Sequence, residues 1–227
     1  MERIKKAFGL SNEAIAKLEG YMDDILEYNE NINLTAITDR DEFIEKHYMD
    51  SLALCSFDDI KEARKILDLG TGAGFPGIPL ALAFPDKEFV LVDSLQKRLK
   101  IIDELCEKYD IRNVTTVHGR AEELGHKEEL REAFDICVSR AVANMAVLLE
   151  YTTCFIKKGG KLVSYKGPEV FAELENAKKA MKVLGVKQDR IEESNLLEHN
   201  LVFIEKVEDT PKKYPRKAGT PSKEPIR

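Results

Sequence analysis

The stretch ILDLGTGAGFPGIPLAL, residues 66–82, decides how this chain folds. An apolar run ends at Leu69, a glycine-rich turn follows, and a second apolar run of helical composition begins at Gly77. Strand, tight turn and helix in that order make the first unit of a doubly wound α/β sheet, where a ligand sits outside the carboxyl ends of the strands. Within the turn, GAGFPG matches GxGxxG at Gly72, Gly74 and Gly77. That pattern alone leaves open whether the loop cradles a dinucleotide pyrophosphate or takes a different nucleotide-like ligand.

Outward from the loop, strand-like runs alternate with helical patterns. EFVLVD (88–93), VTTVH (114–118), FDICVSR (134–140) and KLVSYKG (161–167) are the strands; helices are predicted over Gly77–Phe84, Leu95–Tyr109, Asn144–Lys157 and Val170–Leu184, with a short helical piece after VTTVH. Two late strands fall around Val186–Arg190 and Asn200–Val207. Continuous apolar runs flanked by helices are what a mostly parallel sheet covered on both faces requires. Upstream, Ile15, Leu18, Met22, Ile25 and Leu26 recur at helical spacing from Ser11 to about Asn31. Asp39 with Glu42 three residues on makes a capping-box-like start for a second helix, which places Phe43, His47, Ser51 and Leu54 roughly on one side. The chain thus divides into an N-terminal helical extension (1–62), a doubly wound α/β domain (63–207) and a tail (208–227). The tail is rich in Pro and Lys, a composition that predicts disorder until it binds a partner.

Composition narrows the class. A chain of 227 residues with 43% apolar content supports one main core. No run of about 18 apolar residues spans a bilayer, and MERIKKAFGLSNEA lacks the apolar core and cleavage site of a signal peptide. A cytoplasmic monomer without membrane attachment is the expectation. Cys55, Cys106, Cys137 and Cys154 lack CxxC spacing, so buried reduced thiols are expected, with no disulfide framework and no metal site. The net charge of −6 argues against nucleic acid until the charges are located. Residues 1–62 hold 15 acidic against 7 basic residues, whereas 206–227 hold 7 basic against 3 acidic. Only the tail looks phosphate-seeking.

Acidic residues beside the glycines answer the question of the ligand. Asp68 ends the first strand and Glu122 follows the third. Carboxylates converging on one sheet edge repel a dianion, because charges about 4 Å apart interact by several kcal/mol at intermediate dielectric. The loop also reads better as DLGTGAG: Gly70 leaves the strand, Gly72 and Gly74 build the turn and with Gly70 are expected to wall the ligand site, and Gly77 lies near the helix start, with Pro79 tolerated in the first turn. Asp93 closes the second strand, where a carboxylate takes ribose hydroxyls. In GRAEEL, the Ala121 amide and the Glu122 carboxylate suit an adenine. An adenosine with an amino-acid tail and a sulfonium fits all of these, with Asp68 near its ammonium: the ligand is S-adenosylmethionine. Each acid also has a bland role, Asp68 capping the turn, Asp93 starting the next helix with Ser94, and Glu122 on a solvated helix end. Their coincidence at three consecutive strand ends favours the site.

Motifs beyond the loop carry a resemblance to a known family. YNENINLTAI (28–37), KHYMDSL (46–52), LDLGTGAGFPGIPLA, VDSLQKR, GRAEE, VSRAVA (138–143) and YKG together resemble the bacterial small-subunit ribosomal RNA guanine-N7 methyltransferases of the RsmG (glucose-inhibited division protein B) type, over nearly the whole chain. The resemblance implies a class I S-adenosylmethionine-dependent methyltransferase fold and methylation of one guanine in 16S ribosomal RNA or the small ribosomal subunit. By matching motif it places cofactor contacts on Gly70, Phe75, Asp93, Ala121, Glu122 and Arg140. It leaves the contacts of His47, Asp50 and Ser51 in HYMDSL unassigned.

Guanine N7 has an available lone pair at neutral pH, so the chemistry asks for in-line alignment and electrostatics and for no general base. Consistent with this, the position after the fourth strand reads SRAV in place of a DPPY-like motif, and Cys137 lies inside an apolar strand, without the Pro-Cys pair of a pyrimidine nucleophile. Arg140 is the candidate catalytic side chain, placed to stack on or hydrogen-bond the guanine or to hold the cofactor's carboxylate. His47 is a second candidate. RNA affinity is expected from phosphate contacts by Lys166, Lys212, Lys213, Arg216 and Lys217, so that Arg216→Ala with Lys217→Ala weakens RNA binding and spares cofactor affinity. The cofactor residues alone do not separate an RNA methyltransferase from one acting on a small molecule or protein, nor from an RNA-binding factor that only senses the cofactor.

Overall fold

A computed structural model of the chain describes residues 1–193 and 199–227. Seven strands form one sheet: β1 Lys65–Leu69, β2 Glu88–Asp93, β3 Val114–His118, β4 Phe134–Arg140, β5 Ile156–Lys166, β6 Val186–Glu193 and β7 Asn200–Lys206, in the order β3-β2-β1-β4-β5-β7-β6. The first five are parallel, and β7 runs antiparallel to both β5 and β6. Strand order reverses between β1 and β4, so their carboxyl ends flank the crevice where such sheets take ligands.

Side-chain alternation along each strand feeds two cores. On one face Ile66, Phe89, Leu91, Ile136, Val138 and Phe203 pack with residues from the N-terminal third of the chain. Their partners are α1 Glu2–Phe8, α2 Asn12–Asn29, α3 Arg40–Phe43, a π-helical stretch Ile44–Met49, α4 Asp50–Leu52, a 3-10 turn Ala53–Ser56 and α5 Asp58–Glu62, joined by α6 Gly77–Ala83 and α7 Gln96–Lys108. On the other face Leu67, Val90, Val92, Cys137, Leu162 and Val202 pack against α8 Ala121–Leu124, α9 Met145–Thr152 and α10 Val170–Leu184. Leu18, Tyr21, Ile25, Phe43, Tyr48 and Leu52 are all fully buried, and each contributes roughly 1.5–3 kcal/mol. The N-terminal helical extension, residues 1–62, packs into the core as a covering layer on one face of the sheet.

Ser11 and Asp39 cap their helices as their sequence contexts predict, accepting from the amides of Ala14 at 3.1 Å and Glu42 at 2.9 Å. The helix after Asp39 is not regular: it widens into π-helical turns and tightens again at Ala53. Helix α9 stops at Thr152, five residues before its predicted end, and β5 starts at Ile156. No helix among the described residues is long and apolar enough to cross a membrane.

The expectation of a disordered tail is corrected. Residues 208–227 lie along the α9 face and end in a short helix, α11 Thr220–Lys223. Tyr214 is 8% exposed within the second core, and the Arg131 guanidinium donates to the carbonyls of Gly125, Thr210 and Tyr214 at 2.8–3.0 Å. Composition misses this because the anchors are a few long-range polar contacts, with little apolar periodicity in the tail itself.

Candidate functional site

The glycine loop hangs from a buried carboxylate. Asp68 is 0% exposed, and its Oδ2 accepts the Thr71 hydroxyl at 2.7 Å and the Gly77 amide at 2.8 Å. Gly77 is required for space: an added Cβ would fall 2.8 Å from that oxygen and 2.9 Å from Leu91. Gly70 leaves β1 with φ +74, and a Cβ there would meet Val142 at 2.4 Å. The loop amides are engaged within the protein. Gly70 and Thr71 donate to Val92 O, Gly72 to Asp93 Oδ2, and Gly74 and Phe75 to Thr71 O. A dinucleotide pyrophosphate would need those N–H groups free, so the literal GxGxxG match does not describe this loop's chemistry.

Beside the loop, a cavity of about 290 Å³ opens at the carboxyl ends of β1 to β4. Gly70, Asp93, Ala121 and Glu122 line it together with Leu69, Val92, Ser94, Arg98, Gly119, Arg120, Ala141, Val142 and Tyr151. Two carboxylates reach it from beneath: Asp93 is 5% exposed and Glu122 6%. Asp93 accepts from Gly72 N at 3.0 Å and Leu95 N at 2.8 Å, with Arg98 3.6 Å away. A carboxylate has about four acceptor sites, so capacity remains for a vicinal diol. Glu122 Oε1 accepts the Gly219 amide at 2.9 Å, leaving Oε2 for a second donor. Buried acceptors between apolar walls fit the hydroxyls and exocyclic amine of an adenosine. Arg98 and Arg120 also line the cavity, so acceptor geometry favours that ligand where net charge alone does not.

Five sequence-predicted cofactor contacts, Asp68, Gly72, Gly74, Phe75 and Arg140, do not line this cavity. Asp68 is sealed beneath the loop, where burial pushes its carboxyl up to about 6, and its second oxygen, Oδ1, has no protein partner. It holds the turn and does not line the cavity. Phe75 is 5% exposed and stacks on His47 at 4.5 Å, edge-on to Phe43, Tyr21 and Tyr48. Its ring joins the N-terminal layer to the loop.

That ring leads to a polar cluster built from three motifs. Arg140, at the end of β4, donates from Nη1 to Lys46 O at 2.9 Å and Asp50 Oδ2 at 2.7 Å, and from Nη2 to His47 Nδ1 at 3.0 Å, with its guanidinium carbon 5.7 Å from the Phe75 ring centre. A guanidinium only donates, so Nδ1 is the acceptor nitrogen and Nε2–H donates to Thr35 Oγ1 at 2.8 Å. Asp50, 1% exposed, also bonds His199 Nδ1 at 3.1 Å. Burial pushes the Asp50 carboxyl up, but His199 and Arg140 outweigh it and hold the group below its ordinary range. Ser51 donates to His47 O and its own carbonyl accepts the Tyr165 hydroxyl at 2.8 Å. Thr35 and His199 are members that sequence reasoning missed; Thr35 lay within a quoted motif, and His199 carried no sequence signal.

Burial, and then the Arg140 charge, bring His47 down to about 3, against the smaller pull of Asp50. Because the folded value is depressed, the unfolded chain binds more protons between about 3 and 6.5, and stability is lost as pH falls through that window. Wild type should therefore lose about 2–3 kcal/mol more than His47→Gln between pH 7 and pH 4.5 in urea denaturation. Asp68 acts with the opposite sign up to about 6 and is common to both proteins. Equal losses would show that His47 takes up protons as easily folded as unfolded.

The proposed phosphate contacts divide. Lys166 is 8% exposed and donates to Ala143 O at 2.6 Å and Glu173 at 2.7 Å. Arg216 grips both oxygens of Glu150, a residue 1% exposed on α9. Both are internal ion-pair partners, and their place in the phosphate surface is withdrawn. Lys212, Lys213 and Lys217 are exposed. Among the described residues, no group of three or more His, Cys, Asp or Glu side chains is placed to hold a metal ion.

Known proteins resemble the chain at two levels. Solved structures share the fold: an Aeropyrum pernix fibrillarin with bound S-adenosyl-L-methionine has TM-score 0.55 and 16% identity, covering 69% of this chain and 73% of its own. An S-adenosylmethionine-dependent methyltransferase from Aquifex aeolicus has TM-score 0.53 and 16% identity, covering 72% and 92%. Sequence relatives are nearer. The ribosomal RNA small subunit methyltransferase G of Clostridium tetani is 48% identical over 91% of this chain and 88% of its own length. That of Alkaliphilus metalliredigens is 45% identical over 97% and 94%. The profile of the GidB family, rRNA small subunit methyltransferase G, matches residues 14–202, and the chain belongs to that family.

Proposed function

We propose that this protein transfers the methyl group of S-adenosylmethionine to N7 of one guanine in 16S ribosomal RNA, by in-line attack without a general base. The observation that carries this reading is the adenosine-sized cavity with two buried acceptor carboxylates, reached from Arg140 through Ala141 and Val142, in a chain of this family. When bound, S-adenosylmethionine supplies an electrophilic methyl on a sulfonium. Asp93 takes the ribose diol on its remaining lone pairs and Glu122 Oε2 takes the adenine amine, while Leu69, Val92 and Val142 wall the base. Three of Arg140's five N–H groups are engaged by Lys46, Asp50 and His47. The remaining two donate to guanine O6, which shares an edge with N7. Holding that edge toward the cavity supplies proximity and orientation, which is the help this reaction needs.

Lys212, Lys213 and Lys217 contribute phosphate contacts. Replacing all three by Ala is expected to weaken RNA binding and to reduce the slope of log affinity against log salt by about 2–3. An unaltered slope would remove the tail from the RNA surface. The enzyme acts as a monomer, in the cytoplasm and without a metal, on 16S RNA or the small subunit. Labelled S-adenosylmethionine with RNA or subunits from cells lacking the protein should yield label in RNA and chemical cleavage at a new N7-methylguanine. Label on protein or on small molecules would overturn the reading.

A further inference from the structure

The ordered tail reaches the cofactor cavity. Glu122 Oε1 accepts the Gly219 amide at 2.9 Å, a contact between residues 97 positions apart. Gly219 has φ +81, with nothing within 4 Å of where a Cβ would lie, so the backbone conformation that aims this amide is what asks for glycine. It also opens α11, whose Ser222 hydroxyl donates to Gly219 O at 3.1 Å. Upstream the strap is pinned by Arg216 on Glu150 and by the burial of Tyr214. Ser222 faces Tyr151, which lines the same cavity.

We infer that residues 217–223 are part of the cofactor site: the Gly219 amide, held in place by the Arg216–Glu150 pair, fixes the Glu122 carboxylate so that its free oxygen selects a purine carrying an amino group at C6. Gly219 is a positioning residue, acting through Glu122. The inference rests on the assignment of Glu122 to adenine made above. A carboxylate with one oxygen held by a backbone N–H has its plane and its second acceptor set before the ligand arrives, so the purine amine meets an oriented acceptor. A purine with oxygen at C6 presents a second acceptor there and is rejected, since a site built to hydrogen-bond a donor is left unpaired. Freed of Gly219, Glu122 can rotate away, and the discrimination relaxes.

Binding of S-adenosylhomocysteine and of S-inosylhomocysteine, in which the purine amine is replaced by an oxo group, is to be measured by calorimetry. The proteins are the full chain, Glu122→Gln, and a chain ending at Arg216, which keeps the Arg216 contacts to Glu150. The full chain is expected to prefer the amino ligand, and both variants to lose about tenfold of that preference. A folded truncated chain with the full-length ratio would overturn the inference. If Glu122→Gln also keeps the ratio, the assignment of Glu122 to adenine fails as well; if only the truncation keeps it, that assignment survives alone. A second measurement needs no variant. Coupling is reciprocal, so saturating S-adenosylhomocysteine should slow amide exchange of residues 217–223 in the full chain about tenfold, and S-inosylhomocysteine much less. Exchange indifferent to either ligand would overturn the inference even if the truncated chain does not fold.

Discussion

Arg140→Ala should lower kcat/KM for the RNA substrate by about 10³-fold while changing the affinity for S-adenosylhomocysteine less than threefold. The guanidinium is the hub of a cluster in which Asp50 is almost fully buried and His47 is neutral. Removing it strips Lys46 O, Asp50 Oδ2 and His47 Nδ1 of their donor together. Loss of one preorganised donor at a developing transition state costs about 10²–10³, and the disordering of its neighbours adds to that. Arg140→Lys should recover little, because one ammonium cannot serve acceptors arranged around a planar fork. The comparison of kinetics with binding distinguishes the two roles the sequence left open. A drop in cofactor affinity as large as the drop in kcat/KM would place Arg140 on the cofactor's carboxylate and remove it from the guanine.

Arg216→Ala should destabilise the fold by about 3 kcal/mol, because Glu150 is 1% exposed and would keep a charge without its partner. For a chain of this size each kcal/mol moves Tm by about 2–4 °C, so a fall of about 6–12 °C is expected. Glu150→Ala alone should cost a comparable amount, and the double replacement less than the sum, since neither charge is then left buried. A loss below about 1 kcal/mol would show that water solvates the pair as it does a surface ion pair. The same replacement should leave the salt slope of RNA binding unchanged, reversing the expectation drawn from the tail's composition. A guanidinium already held by a carboxylate has little charge to offer a phosphate.

The main features of the α/β sheet were legible because strand, turn and helix are encoded locally. Apolar runs of five to seven residues at β1 to β4 lie where the sequence places them, and Ser11 and Asp39 cap at short range. Irregular features were harder. The helix from Asp39 begins as its capping signal predicts, then widens over Ile44–Met49, where packing against Phe75 and the reach of His47 and Asp50 toward Arg140 override the regular period. The tail read as disordered because its order comes from Arg131, Glu150 and the core around Tyr214, none of which is visible in the tail's own composition.

At the site, sequence by itself determined the register of the glycine loop, the presence of acceptor carboxylates at the ends of β2 and after β3, and the motifs that resemble one methyltransferase family. Tertiary structure alone decided which acid faces the cavity and which is sealed under the loop, and which cations remain open to a ligand. Asp68 and Asp93 look alike at the ends of neighbouring strands, yet one is bound up by Thr71 and Gly77 and the other lines the cavity. Lys166 and Arg216 look like Lys212 and Lys217 until Glu173 and Glu150 are found beside them. The reason is physical: an apolar run needs only water to reveal where it goes, whereas the role of a charge depends on its partners, and here those partners come from as far as 149 residues away.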